Sequence, residues 1–256
     1  MSAQQSQKNT SFPDWAASSL GKSLLAMETA VLSDYLSAMR GSIAVQIGSN
    51  GGVPLLETCH FPHRFILTDD RRSEPQPDDA EFQFLRSNSD ALPFDSDSVD
   101  LCLLPHALEF SSGPHELLRE VDRVLVSGGH VVMLGFNPYS MWGVRNLFSS
   151  RHASQVPWNG RYLSMGRTRD WLRLLDFDIN AGTMLYYRPP VRSESMRDRL
   201  TFLESAGNRW WPMLAAVYLL VAQKNEAGMT VIEMKKSFRK VSYLNAAEPV
   251  AMEGRR

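Results

Sequence analysis

Two cysteines, Cys59 and Cys102, are all that the 256 residues contain, and they form no CxxC pair and no spacing that suits a metal. That argues against a disulfide framework and for a reducing compartment, with both thiols expected in the core. Charge of one sign is missing as well. The formal net charge is −1, so no global field draws the chain to nucleic acid or to anionic lipid. Long apolar runs are absent too: the longest, Met213 to Ala222, is about half of what a membrane-spanning helix requires. It reads as a buried strand. Met1 to Pro13 are polar and hold no apolar signal core, so no secretory leader is visible and the cytoplasm is the expected location.

What is present is an ordinary globular composition, 43% apolar and 21% charged, in a chain long enough for one large α/β domain. Residues 1–13 are rich in Ser, Gln and Asn and are expected to be loose; 14–224 form the domain; 225–256 are a polar tail expected to lack order. From Trp15 to Met39, Leu20, Leu24, Met27, Val31, Leu32, Tyr35 and Leu36 recur at helical spacing, which predicts an amphipathic helix ending near Gly41. Apolar runs predict strands at 43–47, 65–68, 82–85, 99–104 and 130–135, then from Phe177 to about Tyr187 and at 215–223. Leu117, Leu118, Val121, Val124 and Leu125 stripe a helix from Pro114 that Ser127-Gly128-Gly129 is expected to stop. Further helices are expected at 168–175 and 197–205, while Asn137 to Ser164 shows no clean period. Strands alternating with helices imply right-handed βαβ units and a parallel sheet.

Ligands of such sheets bind outside the carboxyl ends of the strands. Four loops qualify. Gly48-Ser49-Asn50-Gly51-Gly52 follows the first strand and reads either as a turn that lets backbone approach a ligand or as a generic tight turn. Asp69 and Asp70 follow the second, where an acid suits a ribose diol or simply stands in solvent. The third loop runs from Ser87 to Phe94, with Asp95 and Asp97 beyond it, and the fourth is Pro105-His106-Ala107-Leu108-Glu109.

The run Ala91-Leu92-Pro93-Phe94, Ser98-Val99-Asp100, His106-Ala107-Leu108-Glu109, Glu116-Leu117-Leu118-Arg119-Glu120, Arg123-Val124-Leu125 and Gly128-Gly129 keeps one order over 88–135. In that order it resembles the methyltransferase type-11 family of class I S-adenosylmethionine-dependent methyltransferases, and most of all a poorly characterised bacterial subgroup. The resemblance reaches back more weakly to Ile43 and forward to 215–224, which is similar to the family's terminal strand. It implies a Rossmann-like, doubly wound, seven-stranded sheet, mostly parallel with an antiparallel terminal strand. It also implies S-adenosyl-L-methionine as cofactor and a small-molecule acceptor.

By that resemblance the first cofactor motif falls on Gln46, Gly48, Ser49, Asn50 and Gly52, whose glycines pass the methionine moiety. A valine at Gly48 is therefore expected to fill that space. Asp69 matches the ribose acid, Asn88 with Ser89 and Asp90 meets the adenine, and Pro105 with His106 lines the transfer pocket. Gln46 and Asn88 stand where acids are usual, and Asn50 where glycine is. Charge-assisted bonds are roughly twice as strong as neutral ones, so each lost carboxylate costs on the order of 1 kcal/mol, about five-fold in affinity. Two readings stay open: an S-adenosylmethionine-dependent methyltransferase, or a catalytically silent protein of the same fold with a binding or regulatory role.

His106 is the best-placed titratable group for a general base, yet a structural or pocket-lining histidine is the commoner occupant of such a position, and no catalytic group is assigned. Tyr139 and Trp142 either wall an apolar substrate or pack the core. Trp210 and Trp211 are expected to pack the sheet edge or close a pocket. No Asn/Asp-Pro-Pro-aromatic run and no Pro-Cys pair follows Leu104, which disfavours methylation of DNA amines or cytosine carbon. Lys235, Lys236, Arg239 and Lys240 read as a solvated tail, so neither nucleic acid nor membrane is an expected partner. The spaced glycines of a nicotinamide fingerprint are missing.

Overall fold

A computed structural model describes residues 12–48, 53–68, 82–87, 91–149, 157–191 and 193–225. Its strands are β1 (Ile43–Ile47), β2 (His63–Thr68), β3 (Gln83–Arg86), β4 (Val99–Pro105), β5 (Leu125–Phe136), β6 (Phe177–Leu185) and β7 (Val217–Lys224). They form one sheet in the order β3-β2-β1-β4-β5-β7-β6, in which only β7 runs against its neighbours. The helices are α1 (Phe12–Ala16), α2 (Ser19–Leu36), α3 (Ala107–Phe110), α4 (Pro114–Val124), α5 (Met141–Ser149), α6 (Met165–Leu174), α7 (Glu194–Arg199) and α8 (Phe202–Trp210).

The apolar run of β7 follows from its place inside the sheet. Val217, Leu219 and Val221 join the core under α2, while Tyr218, Leu220 and Ala222 join the core under α4 and α6. A strand buried on both faces has no polar alternation to show. Cys59 and Cys102 are both buried free thiols, and burial pushes the Cys102 thiol upward.

The chain departs from the expected elements at several points. Phe12 is already helical and buried, so residues read as loose reach into the core. The helix α4 ends at Val124, and Gly128-Gly129 lies inside β5 instead of stopping a helix. There β4 advances from Val99 to Leu101 while β5 advances from Leu125 to His130, and Gly128 takes φ +78°. The glycines make a bulge. The stretch without a clean period contains α5, and the helix expected at 197–205 is two short helices, α7 and α8, parted at 200–201. Trp142 is core, its indole N–H donating to the Arg188 carbonyl, whereas Tyr139 is exposed. Trp210 and Trp211 are 68% and 56% exposed, so they do not pack the sheet edge. Among the described residues no helix is long and apolar enough to cross a membrane. The tail basic residues Lys235, Lys236, Arg239 and Lys240 lie outside the described residues.

Candidate functional site

Because β3, β2, β1 and β4 are parallel neighbours, their carboxyl ends line one edge of the sheet. Ile47 stands opposite Leu67, Thr68 opposite Arg86, and Gln46 opposite Leu103. The four turns read from the sequence therefore leave the sheet side by side. Ser49, Asn50, Gly52, Asp69, Asn88, Ser89 and Asp90, which occupy three of them, lie outside the described residues. Gln46, Gly48, Pro105 and His106 are described.

Gln46 is fully buried, and its side-chain amide ties β1 to the chain at Val53 and Leu55. Its N–H donates to the Val53 carbonyl at 2.8 Å, and its oxygen accepts the Leu55 N–H at 2.9 Å. Only an amide both donates and accepts in this way; a carboxylate would leave the Val53 carbonyl facing an acceptor. Gln46→Glu is thus expected to cost about 1–3 kcal/mol at neutral pH, read from urea unfolding. An unchanged midpoint would remove the amide from this role. Gly48, at φ +140°, brings β1 against the turn after β4: a Cβ there would lie 2.9 Å from the Pro105 carbonyl oxygen and 3.1 Å from Ala107 Cβ.

The third turn is anchored from below by α4. Arg123 donates to the carbonyls of Leu92 and Phe94, and Glu120 accepts both the Leu92 N–H and the guanidinium. Hydrogen bonding to Arg123 lowers the Glu120 carboxyl, and the same bond raises Arg123. This pair explains why Ala91-Leu92-Pro93-Phe94 and the Glu120–Arg123 spacing occur together in one sequence.

Past β4 the chain enters a left-handed residue, His106 at φ 53°, whose N–H bonds the Leu134 carbonyl of β5. The imidazole is fully buried and stacks on Phe136 at 4.1 Å between centroids. Its Nε2 meets Glu28 Oε1 of α2 at 2.8 Å. Its Nδ1 lies 3.9 Å from Glu109 Oε1, an ion-pair distance too long for a hydrogen bond; that oxygen accepts the Phe136 N–H at 2.5 Å. Burial disfavours the charged ring, but Glu28 and then Glu109 outweigh it and carry the group up to about 9. At neutral pH the ring is an imidazolium, which has no lone pair to accept a proton. Among the described residues, Glu28 Oε2, His106 Nδ1 and Tyr162 Oη are buried without a hydrogen-bond partner. Tyr162 stacks on Phe136 at 4.9 Å, and burial, then the Glu109 charge, raises its hydroxyl well above 10.

Sequence reasoning missed Glu28 and Tyr162. A signal for the first existed: Glu28 sits four residues after Leu24 and three and four before Val31 and Leu32, inside the apolar stripe of α2. An acid at such a position needs a partner elsewhere in the fold. Tyr162, in a stretch without period, offered none.

A family model described as a methyltransferase domain matches residues 61–133. The uncharacterized protein YafS of Escherichia coli (strain K12) is 31% identical over 209 residues, 82% of this chain and 79% of its own. Among solved structures, a chain in the complex between the Haloferax volcanii Trm112 methyltransferase activator and a putative methyltransferase is 20% identical. It superposes with a TM-score of 0.59 over 84% of this chain and 98% of that one. A methyltransferase from Thermotoga maritima, described as S-adenosylmethionine-dependent and a possible histamine N-methyltransferase, is 16% identical, with a TM-score of 0.58 over 84% and 99%. At those identities the two structures show a common fold.

Proposed function

Since this chain belongs to the class I S-adenosylmethionine-dependent methyltransferases, and within them to the family of Escherichia coli YafS, we propose that it transfers the cofactor's methyl group to a small-molecule acceptor held beside the turn at Pro105 and His106. The observation that carries this reading is the alignment of the β1, β2, β3 and β4 carboxyl ends along one edge. Buried polar atoms without partners stand where that edge meets β5. The acid among them, Glu28, suits a cation brought to that edge.

The turns after β1, β2 and β3, with Ser49, Asn50, Gly52, Asp69, Asn88, Ser89 and Asp90, would hold the cofactor's methionine, ribose and adenine portions. Gln46 and Gly48 act beneath them, by shaping the first turn. Since the Gln46 amide is spent on Val53 and Leu55, its lack of charge carries no direct cost in cofactor affinity. When bound, S-adenosylmethionine supplies a methyl group already activated by its sulfonium. The chain's own task is then to place a nucleophile in line and keep water out, and positioning of this kind contributes several kcal/mol. His106 keeps its proton, so it orients and does not serve as base at neutral pH.

Calorimetric titration tests the reading. S-adenosylmethionine and S-adenosylhomocysteine are both expected to bind with micromolar dissociation constants. No heat from either at millimolar concentration would overturn it, and would leave a silent protein of the same fold.

A further inference from the structure

We infer that the acceptor is an amine, captured as its ammonium ion by Glu28 and the aromatic rings around His106. This rests on the methyltransferase reading above and names the substrate class of that same site. The first argument is a count of acids against basic partners. Glu28 from α2 and Glu109 from α3 flank a single imidazole, so two buried acids stand against one basic ring. Another cation nearby is Arg145 of α5, whose charge is felt at Tyr162. Its guanidinium donates to the Pro190 carbonyl and lies 4.5 Å from the Trp158 ring centre. No ion pair joins it to Glu28 or Glu109 among the described residues. Two buried acids thus share one basic partner, at a place where acids are kept when something pairs with them.

The second argument is the unused hydrogen-bonding capacity. Glu28 spends Oε1 on His106 and leaves Oε2 buried and unpartnered, a ready acceptor for an N–H⁺ donor. Tyr162 Oη, also buried and unpartnered, belongs to a ring stacked on Phe136, which in turn stacks on His106. The third is the wall. Phe12 lies 5.9 Å from the His106 ring and 5.6 Å from Phe110, and Trp15 and Trp142 complete the ring contacts of Phe136. Aromatic faces attract cations and offer a carboxylate acceptor nothing comparable.

The chemistry balances with these groups alone. The ammonium gives one proton to Glu28 Oε2, and the freed lone pair forms the N–CH₃ bond as the S–CH₃ bond breaks. The sulfonium becomes a neutral thioether, and the product leaves as a methylated ammonium ion.

The test uses the full-length protein loaded with S-adenosylhomocysteine. Phenethylamine, hexylamine and cyclohexylamine are titrated against it, each beside its alcohol. At least one amine is expected to bind about tenfold tighter than its alcohol. That preference is expected to vanish in Glu28→Gln samples that still bind S-adenosylhomocysteine. Equal binding of every amine and alcohol, or no binding of any, overturns the inference while leaving the methyltransferase reading intact. Failure of S-adenosylhomocysteine itself to bind overturns both. An amine preference that survives in Glu28→Gln, together with a fallen ratio of S-adenosylmethionine to S-adenosylhomocysteine affinity, assigns the charge to the sulfonium and overturns it too. Should Glu28→Gln fail to fold, the wild-type amine and alcohol comparison decides alone.

Discussion

Between pH 6 and pH 9 the wild-type protein is expected to lose about 3 kcal/mol of stability that a His106→Gln variant does not lose. The sign follows from the folded group lying at about 9, above its ordinary 6.5. Below the ordinary value both folded and unfolded chains hold the proton, and the pairing with Glu28 and Glu109 contributes in full. As the pH rises the unfolded chain releases its proton first, and the contribution is gone once the folded ring is neutral as well. Glu28 and Glu109 then face each other across an uncharged imidazole. Two other groups titrate in or near this window with their own signs. Burial lowers His130, whose contribution grows as pH rises, and burial raises Cys102, whose contribution falls at the alkaline end. Both are common to the two proteins and cancel in the difference between their urea unfolding curves. Glutamine keeps a donor within reach of Glu28, and its fit to the left-handed backbone adds an offset that does not vary with pH. Parallel pH profiles for the two proteins would show that the imidazolium is not paired as the structure has it.

How far the sequence foretold this arrangement depends on which force shaped each residue. The strands β4 and β7 were legible as unbroken apolar runs and the helix α4 by its apolar stripe, and the 88–135 segment was legible because many residues keep one order. Gly128-Gly129 misled because glycine permits a bulge as readily as it ends a helix, and only the partner strand decides between them. Phe12 was passed over because a single aromatic among polar residues has no period at all. At the candidate site, Gln46 and His106 were visible as positions but not as interactions. The amide of Gln46 is defined by Val53 and Leu55, and the imidazole of His106 by an acid 78 residues away on α2. Long-range pairs of this kind leave no spacing to read. The departure from the family at Gln46, which suggested a weakened cofactor contact, is on the structural side a loop closure that a carboxylate does not make.

Gly48→Val is expected to cost between about 2 and 6 kcal/mol of stability, combining strain at a backbone angle that β-branched residues avoid with overpacking against a fixed neighbour. Glycine at φ +140° is what lets the end of β1 lie against the turn after β4. The added Cβ would meet the Pro105 carbonyl oxygen at 2.9 Å and Ala107 Cβ at 3.1 Å, and the two γ-methyls of valine extend further. Neither neighbour yields cheaply: one is backbone, and the other opens α3, whose Glu109 is tied to Phe136. The family resemblance puts the cofactor's methionine portion beside Gly48; the structure puts Pro105 and Ala107 where a side chain at Gly48 would stand. The two accounts differ in what is measured. If the turn is packed as described, urea unfolding of Gly48→Val shifts strongly, Gly48→Ala shifts less in the same direction, and S-adenosylhomocysteine affinity falls in both only as far as the turn is displaced. A Gly48→Val protein with wild-type stability and no cofactor binding would return Gly48 to the ligand's side of the turn, and with it the geometry on which His106 and Pro105 were placed.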